Sequence, residues 1–173
     1  MINPFKKTFT DREHNLFLFL SQMKLFSLLN YKEMALFIPH MHLRQYIKDE
    51  VVFFRDDPSH ALYLLTEGEV SLNIEIGDGF EHLTTVPAGF ALGESCLLED
   101  TKRQLNAFVT TEEAEFYVIP QDSIFRIFDG NPKVRTKMLQ MLAEIYNDYN
   151  SRLFKSYKSS RGFFNLSQVY KSN

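Results

Sequence analysis

The hydrophobic period of this chain changes at His42, and the stretch that follows constrains the fold more than any other feature. A spacing of three and four gives way there to alternation. Leu43, Gln45 and Ile47 fall on one side, Arg44, Tyr46 and Lys48 on the other. Apolar runs over residues 51–54, 61–65, 70–76, 80–86, 104–110 and 114–119 continue the pattern. Turn signals separate them: Lys48-Asp49-Glu50, Arg55-Asp56-Asp57-Pro58, Glu67-Gly68-Glu69 and the hairpin signal Gly77-Asp78-Gly79. Short strands roughly eight to twelve residues apart predict an antiparallel sandwich or barrel.

Helical patterns flank this region. Asp11 is placed to cap a helix carrying Leu16, Phe19, Leu20, Met23 and Phe26. A second short helix is expected over residues 31–38, ending at Pro39. After the strands, Asp122 or Ser123 is placed to cap a helix with Ile124, Phe125, Ile127 and Phe128, which Asp129-Gly130-Asn131-Pro132 stops. From Pro132 to about Tyr157 runs the longest helical pattern. Met138, Leu142, Ile145, Tyr149 and Leu153 form its stripe, and Leu139 and Tyr146 widen it. Such a helix is roughly 35–40 Å long, more than one small barrel covers. Part of the stripe is therefore expected to face a second chain.

At 173 residues, one domain with appendages is expected. Apolar residues make up 45% of the chain, 17 of them phenylalanine, enough for a packed core. The apolar run Leu16-Phe17-Leu18-Phe19-Leu20 is far too short to span a bilayer. No secretory segment follows Lys6-Lys7. A single cysteine excludes an internal disulfide framework and fits a reducing compartment. Together these predict a soluble, cytoplasmic protein with no membrane contact. Net charge is −3, unevenly spread: after Asp148 come five basic residues and no acidic one, so residues 1–148 carry −8.

Residues 87–107 carry the chemistry. Pro87-Ala88-Gly89 opens a turn, Gly93-Glu94 follows, then the apolar patch Cys96-Leu97-Leu98, a polar bend and Arg103. A glycine lets backbone approach a ligand closely. Free N–H groups at the start of a helical turn attract an anion, and a guanidinium fork suits phosphate. Glu94 can accept a hydrogen bond from a sugar hydroxyl. This pattern predicts a pocket for a small phosphorylated sugar.

Gly93-Glu94-Ser95-Cys96-Leu97, followed by Arg103-Gln104-Leu105-Asn106-Ala107, resembles the phosphate-binding cassette of the cyclic nucleotide-binding domain family. The resemblance implies an α+β fold: an eight-stranded antiparallel β jelly roll (double-stranded β-helix) over 42–119, with N-terminal helices in 11–40 and C-terminal helices in 121–157. It implies that Glu94 binds the ribose hydroxyl and Arg103 the cyclic phosphate. Gly93, Ser95, Cys96 and Gln104, with the amides of residues 94–97, complete the ligand site. The ligand is then cAMP or cGMP, with no cofactor and no catalysis. The family also implies that the long helix serves as a homodimer seam and as a lid for the base, with Tyr146 and Tyr149 as candidates to stack on it. Gln104 and Leu105 are bulkier than the family pattern and are expected to narrow the pocket. Asp49 stands where the family usually has glycine.

Other chemistries find little support. His40 and His42 lack the surrounding glycines and second histidine motif of a cupin metal site. Ser95 lacks the glycine two residues on that a nucleophile elbow requires; Leu97 stands there. Cys96 reads as buried filler. Residues 1–10 are expected to be a flexible arm and 159–173 a basic, aromatic tail, with residues 11–158 the domain. That tail could dock a protein partner, or contact single-stranded nucleic acid. It is too short for a recognition helix with its support, which argues against direct sequence-specific DNA binding. A ligand-free interaction module of the same fold is the alternative to a nucleotide sensor.

Overall fold

The computed structural model describes residues 9–77 and 79–160. Of the arm expected at 1–10 and the tail expected at 159–173, residues 1–8 and 161–173 lie outside the described residues.

Two helices open the described chain. The first, α1 (Asp11–Gln22), starts on a capping box. Glu13 N donates to Thr10 Oγ1 at 3.2 Å and Thr10 N to Glu13 Oε2 at 2.8 Å. The cap is therefore Thr10 and not Asp11, because Thr10 has the partner three residues on. Asn30 caps α2 (Tyr31–Met34) in the same way, with Glu33 reaching back to its N–H. The helix expected over 31–38 stops at Met34. Bonds to the residue three before replace the α pattern from Leu36 on, and a 3-10 turn spans Ile38–His40 with Pro39 in its first turn.

Eight strands follow among the described residues: β1 (His42–Ile47), β2 (Val51–Phe53), β3 (Ala61–Glu67), β4 (Glu69–Ile76), β5 (Gly79–Pro87), β6 (Ala91–Leu92), β7 (Asn106–Val109) and β8 (Glu113–Pro120). They form two antiparallel four-stranded sheets, ordered β1-β8-β3-β6 and β2-β7-β4-β5. This is a β-sandwich with the jelly-roll fold. Asp49 takes a left-handed φ of 67° in the turn between β1 and β2, a conformation aspartate tolerates. The expected strand at 104–110 begins only at Asn106. The expected caps Asp122 and Ser123 lie inside the first turn of α3 (Gln121–Gly130), whose cap position is Pro120.

The apolar run in β3 has partners on both faces. Leu65, with Phe116 and Ala114 of β8, packs between the sheets against Val52, Val70, Ala107 and Val109. Leu62 and Leu64, with Ile119, face the helices instead. There they meet Phe17, Leu20, Phe26 and Phe37, together with Ile124 and Phe128 of α3. The last described helix, α4 (Pro132–Ser160), adds Val134, Met138, Met141 and Leu142 to this second core. Each fully buried side chain of this size contributes roughly 1.5–3 kcal/mol. Further along α4 the stripe emerges: Tyr149 is 51%, Leu153 66% and Phe154 50% exposed.

Candidate functional site

Gly93 sits between β6 and a 3-10 turn over Glu94–Leu97, with a φ of +75° that favours glycine. The turn is held from several sides. Ser59 and Ser95 share a hydrogen bond between their hydroxyls at 2.8 Å, and Thr101 Oγ1 donates to Ser95 O at 2.8 Å. Gln121, the first residue of α3, donates from Nε2 to Cys96 O and Leu98 O. The cassette is thus fastened to the helical layer as well as to the sheet.

Arg103 comes just before β7. Its backbone is locked to the turn after β2: Arg103 N donates to Asp57 O at 2.8 Å, and Asp56 N donates to Arg103 O at 2.9 Å. The side chain turns inward and is only 4% exposed. Nη1 donates to Gly93 O at 3.0 Å and Nη2 to Ala61 O at 2.7 Å. The guanidinium lies 4.4 Å from the centre of the Phe53 ring and 5.6 Å from that of Tyr63. No carboxylate pairs with it among the described residues. Burial holds its pKa below the ordinary arginine value. Arg103 lines a cavity of about 290 Å³ with Val52, Phe53, Asp57, His60 and Tyr63.

Glu94 opens on the other side of Gly93. It lines a second cavity of about 250 Å³, formed with residues 22–25, 89–91 and the α4 residues Ile145, Asp148, Tyr149 and Arg152. Burial raises the pKa of its carboxyl; hydrogen bonding to its own backbone, the Tyr149 hydroxyl, the Arg103 charge and the backbone at Gly93 pull the other way. Burial first, then the Glu94 charge, raises the pKa values of both nearby tyrosines, that of Tyr146 to about 12. The Tyr146 and Tyr149 rings lie 6.4 Å apart at 44°.

The structure therefore gathers Gly93, Glu94, Ser95, Cys96, Arg103, Tyr146 and Tyr149 around one short turn, but it divides them. Arg103 and Glu94 face different cavities. Gln104 is not among them: it is exposed, and its side-chain amide donates to Lys102 O. Phe53 and Tyr63, not Gln104 and Leu105, crowd the arginine. Cys96 is fully buried, its thiol pushed up to about 12 chiefly by burial, and its amide already donates to Gly93 O. Sequence reasoning missed Phe53, Ser59, Ala61 and Tyr63. Nothing local marks them: β3 sets Ala61 and Tyr63 beside the cassette, while β2 and the loop that follows it bring in Phe53 and Ser59.

No group of three or more metal-ligating side chains forms among the described residues, and no described helix is long and apolar enough to cross a membrane. Residues 43–131, just over half of the chain, match the sequence pattern of the cyclic nucleotide-binding domain. In fold the chain is similar to the sensor domain of the transcriptional regulator DNR from Pseudomonas aeruginosa. Identity there is 18% and the TM-score 0.67, over 91% of this chain and 100% of that one. It is similar to the N-terminal domain of a transcriptional regulator from Streptomyces coelicolor A3(2), at 24% identity and a TM-score of 0.67, over 78% and 94%. It is similar also to the regulatory domain of Toxoplasma gondii PKA, co-crystallised with cAMP, at 21% identity and a TM-score of 0.62, over 70% and 46%. At these identities the likeness is one of fold. In sequence it is 29% identical over 106 residues to Glutaminase 1 of Bradyrhizobium diazoefficiens. The match takes in 61% of this chain but spans only 16% of that protein.

Proposed function

The chain belongs to the cyclic nucleotide-binding domain family, and on that premise we propose that it is a non-catalytic sensor, binding a cyclic nucleotide at Arg103 and signalling through α4. One observation carries the reading. Arg103 is a buried cation without a carboxylate partner among the described residues, and it borders a cavity. Burying an unneutralised charge is costly, and a monoanionic phosphate ester would offset that cost. Two carbonyls use part of its five-donor fork, leaving N–H groups for a phosphate. Glu94 supplies the acceptor for the ribose hydroxyl on the far side of Gly93. Tyr146 and Tyr149 approach from α4, where either can close over a base.

Output passes through α4 because, among the described residues, that helix lines the Glu94 cavity and carries exposed apolar side chains in its later turns. Its exposed residues Tyr149 and Leu153 form the seam of a homodimer, or the dock for a protein partner. The domain runs over 11–158, with a basic tail beyond it, and works in the cytoplasm, where its one buried cysteine stays reduced.

A second reading keeps the fold as an interaction module without ligand. It draws on the same arginine: Gly93 O, Ala61 O and the Phe53 face already satisfy much of the guanidinium. Thermal unfolding with cAMP, cGMP or inorganic phosphate separates the two. A nucleotide at a hundred times its dissociation constant stabilises by about 2.7 kcal/mol, a shift of several degrees. No shift with either nucleotide at millimolar concentration favours the second reading.

A further inference from the structure

Two carbonyls do not by themselves fix the plane of the Arg103 guanidinium. Nη1 donates to Gly93 O and Nη2 to Ala61 O, and the group can still rock about the line through those two acceptors. The Phe53 ring supplies a third contact. The guanidinium carbon lies over it, 4.4 Å from its centre, at the distance of a cation–π interaction. Phe53 is itself held in place. It ends β2, where it pairs with Ala107 of β7. Its ring centre is 5.7 Å from that of Tyr63, and Tyr63 meets the fully buried Phe116 edge-on at 6.0 Å. A run of rings therefore leads from the core between the sheets to the guanidinium. Phe53, Tyr63 and Arg103 also line one cavity.

We propose that Phe53 is a positioning residue for the bound phosphate. Backed by Tyr63, its ring sets the plane of the Arg103 guanidinium and turns the unused N–H groups toward the cavity. The proposal rests on the sensor reading above, and it adds to the site a residue of β2, outside the cassette. The division of contacts fits such a role. The two carbonyls take two of the five N–H groups of the fork. The ring restrains the same group through its π charge and offers no oxygen acceptor, so N–H groups remain for phosphate oxygens. A fork aimed in advance loses less freedom when the anion arrives, which tightens binding. Phe53 is only part-buried, so filling the core does not account for its place here.

The test compares the full chain with Phe53→Leu, which stays apolar but loses the ring, and Phe53→Tyr, which keeps it. Each is titrated calorimetrically with cAMP and cGMP, and urea unfolding confirms that it folds. Exchange of the Arg103 Nε proton, assigned by its loss in Arg103→Lys, is followed by NMR in the ligand-free proteins. Phe53→Leu is expected to bind nucleotide roughly tenfold more weakly and to exchange that proton faster. Phe53→Tyr is expected to restore both. Parent-like affinity in folded Phe53→Leu, or an equal loss in the two variants, overturns the positioning role and leaves the sensor reading intact. Weaker binding with unchanged exchange overturns it too, because Phe53 is then a wall of the cavity and no more. If Phe53→Leu does not fold, Phe53→Met takes its place under the same criteria. A parent that binds neither nucleotide overturns the sensor reading and this proposal with it.

Discussion

Gly93 and Arg103 are fitted to one another: the guanidinium lies across the glycine where any side chain would begin, and it donates to the glycine's own carbonyl. The glycine also holds a φ of +75°. Gly93→Ala therefore both strains the backbone and collides with Arg103. It is expected to lower stability by about 1–3 kcal/mol in urea unfolding. A variant as stable as the parent contradicts the fit.

Glu33 has two tasks. It completes the cap of α2, and it pairs with Lys137 of α4, whose Nζ lies 2.8 and 2.7 Å from its two oxygens. Hydrogen bonding to Lys137 is the main cause of its lowered pKa. Glu33→Gln keeps the cap and weakens the pair, so a loss of about 0.5–1 kcal/mol is expected; Glu33→Ala loses both, about 1–2 kcal/mol. Because the folded pKa is depressed, the Glu33 contribution is present above the unfolded value and is lost as pH falls through the folded one. Equal losses for the two variants contradict the double role.

Glu94 has the opposite sign. Its folded pKa is raised, chiefly by burial, so its protonated form favours the folded state. That contribution is full below the unfolded pKa and is lost as pH rises through the folded value. Relative to Glu94→Gln, the parent is expected to lose stability over that window, read from urea midpoints at a series of pH values. A constant difference between parent and variant contradicts it.

The two halves of α4 are expected to respond differently. Leu142 is 3% exposed and Leu153 66%. Leu142→Ala is expected to cost about 2–5 kcal/mol, and Leu153→Ala within about 0.5 kcal/mol for the monomer. If the distal face is a dimer seam, light scattering finds a dimer that Leu153→Asp dissociates. A monomeric parent removes the homodimer.

Much of this was legible in the sequence, and the exceptions share a cause. Alternation and turn chemistry located seven strands, and the Gly93-Glu94…Arg103 pattern located the cassette. The two-residue strand β6 was not legible. Ala91 and Leu92 are too few to alternate and become a strand only by pairing with Leu64 and Tyr63. Asp11 and Asp122 looked like caps because they are good cap residues. Thr10 prevailed over Asp11 through its reciprocal bond with Glu13, and β8 runs directly into α3, leaving Asp122 inside the helix. The pattern brought Glu94 and Arg103 to one glycine, but which cavity each side chain enters depends on Phe53, Tyr63 and Tyr149, and those positions follow from tertiary register.

Arg103 as the seat of a cyclic phosphate is tested by calorimetric titration of the parent and Arg103→Lys with cAMP and cGMP. The parent is expected to bind at least one nucleotide saturably. A folded Arg103→Lys should bind it at least tenfold more weakly, because a point charge cannot keep Ala61 O and Gly93 O and also fork onto a phosphate. Equal affinity in the two proteins, or no heat from the parent with either nucleotide at millimolar concentration, contradicts it.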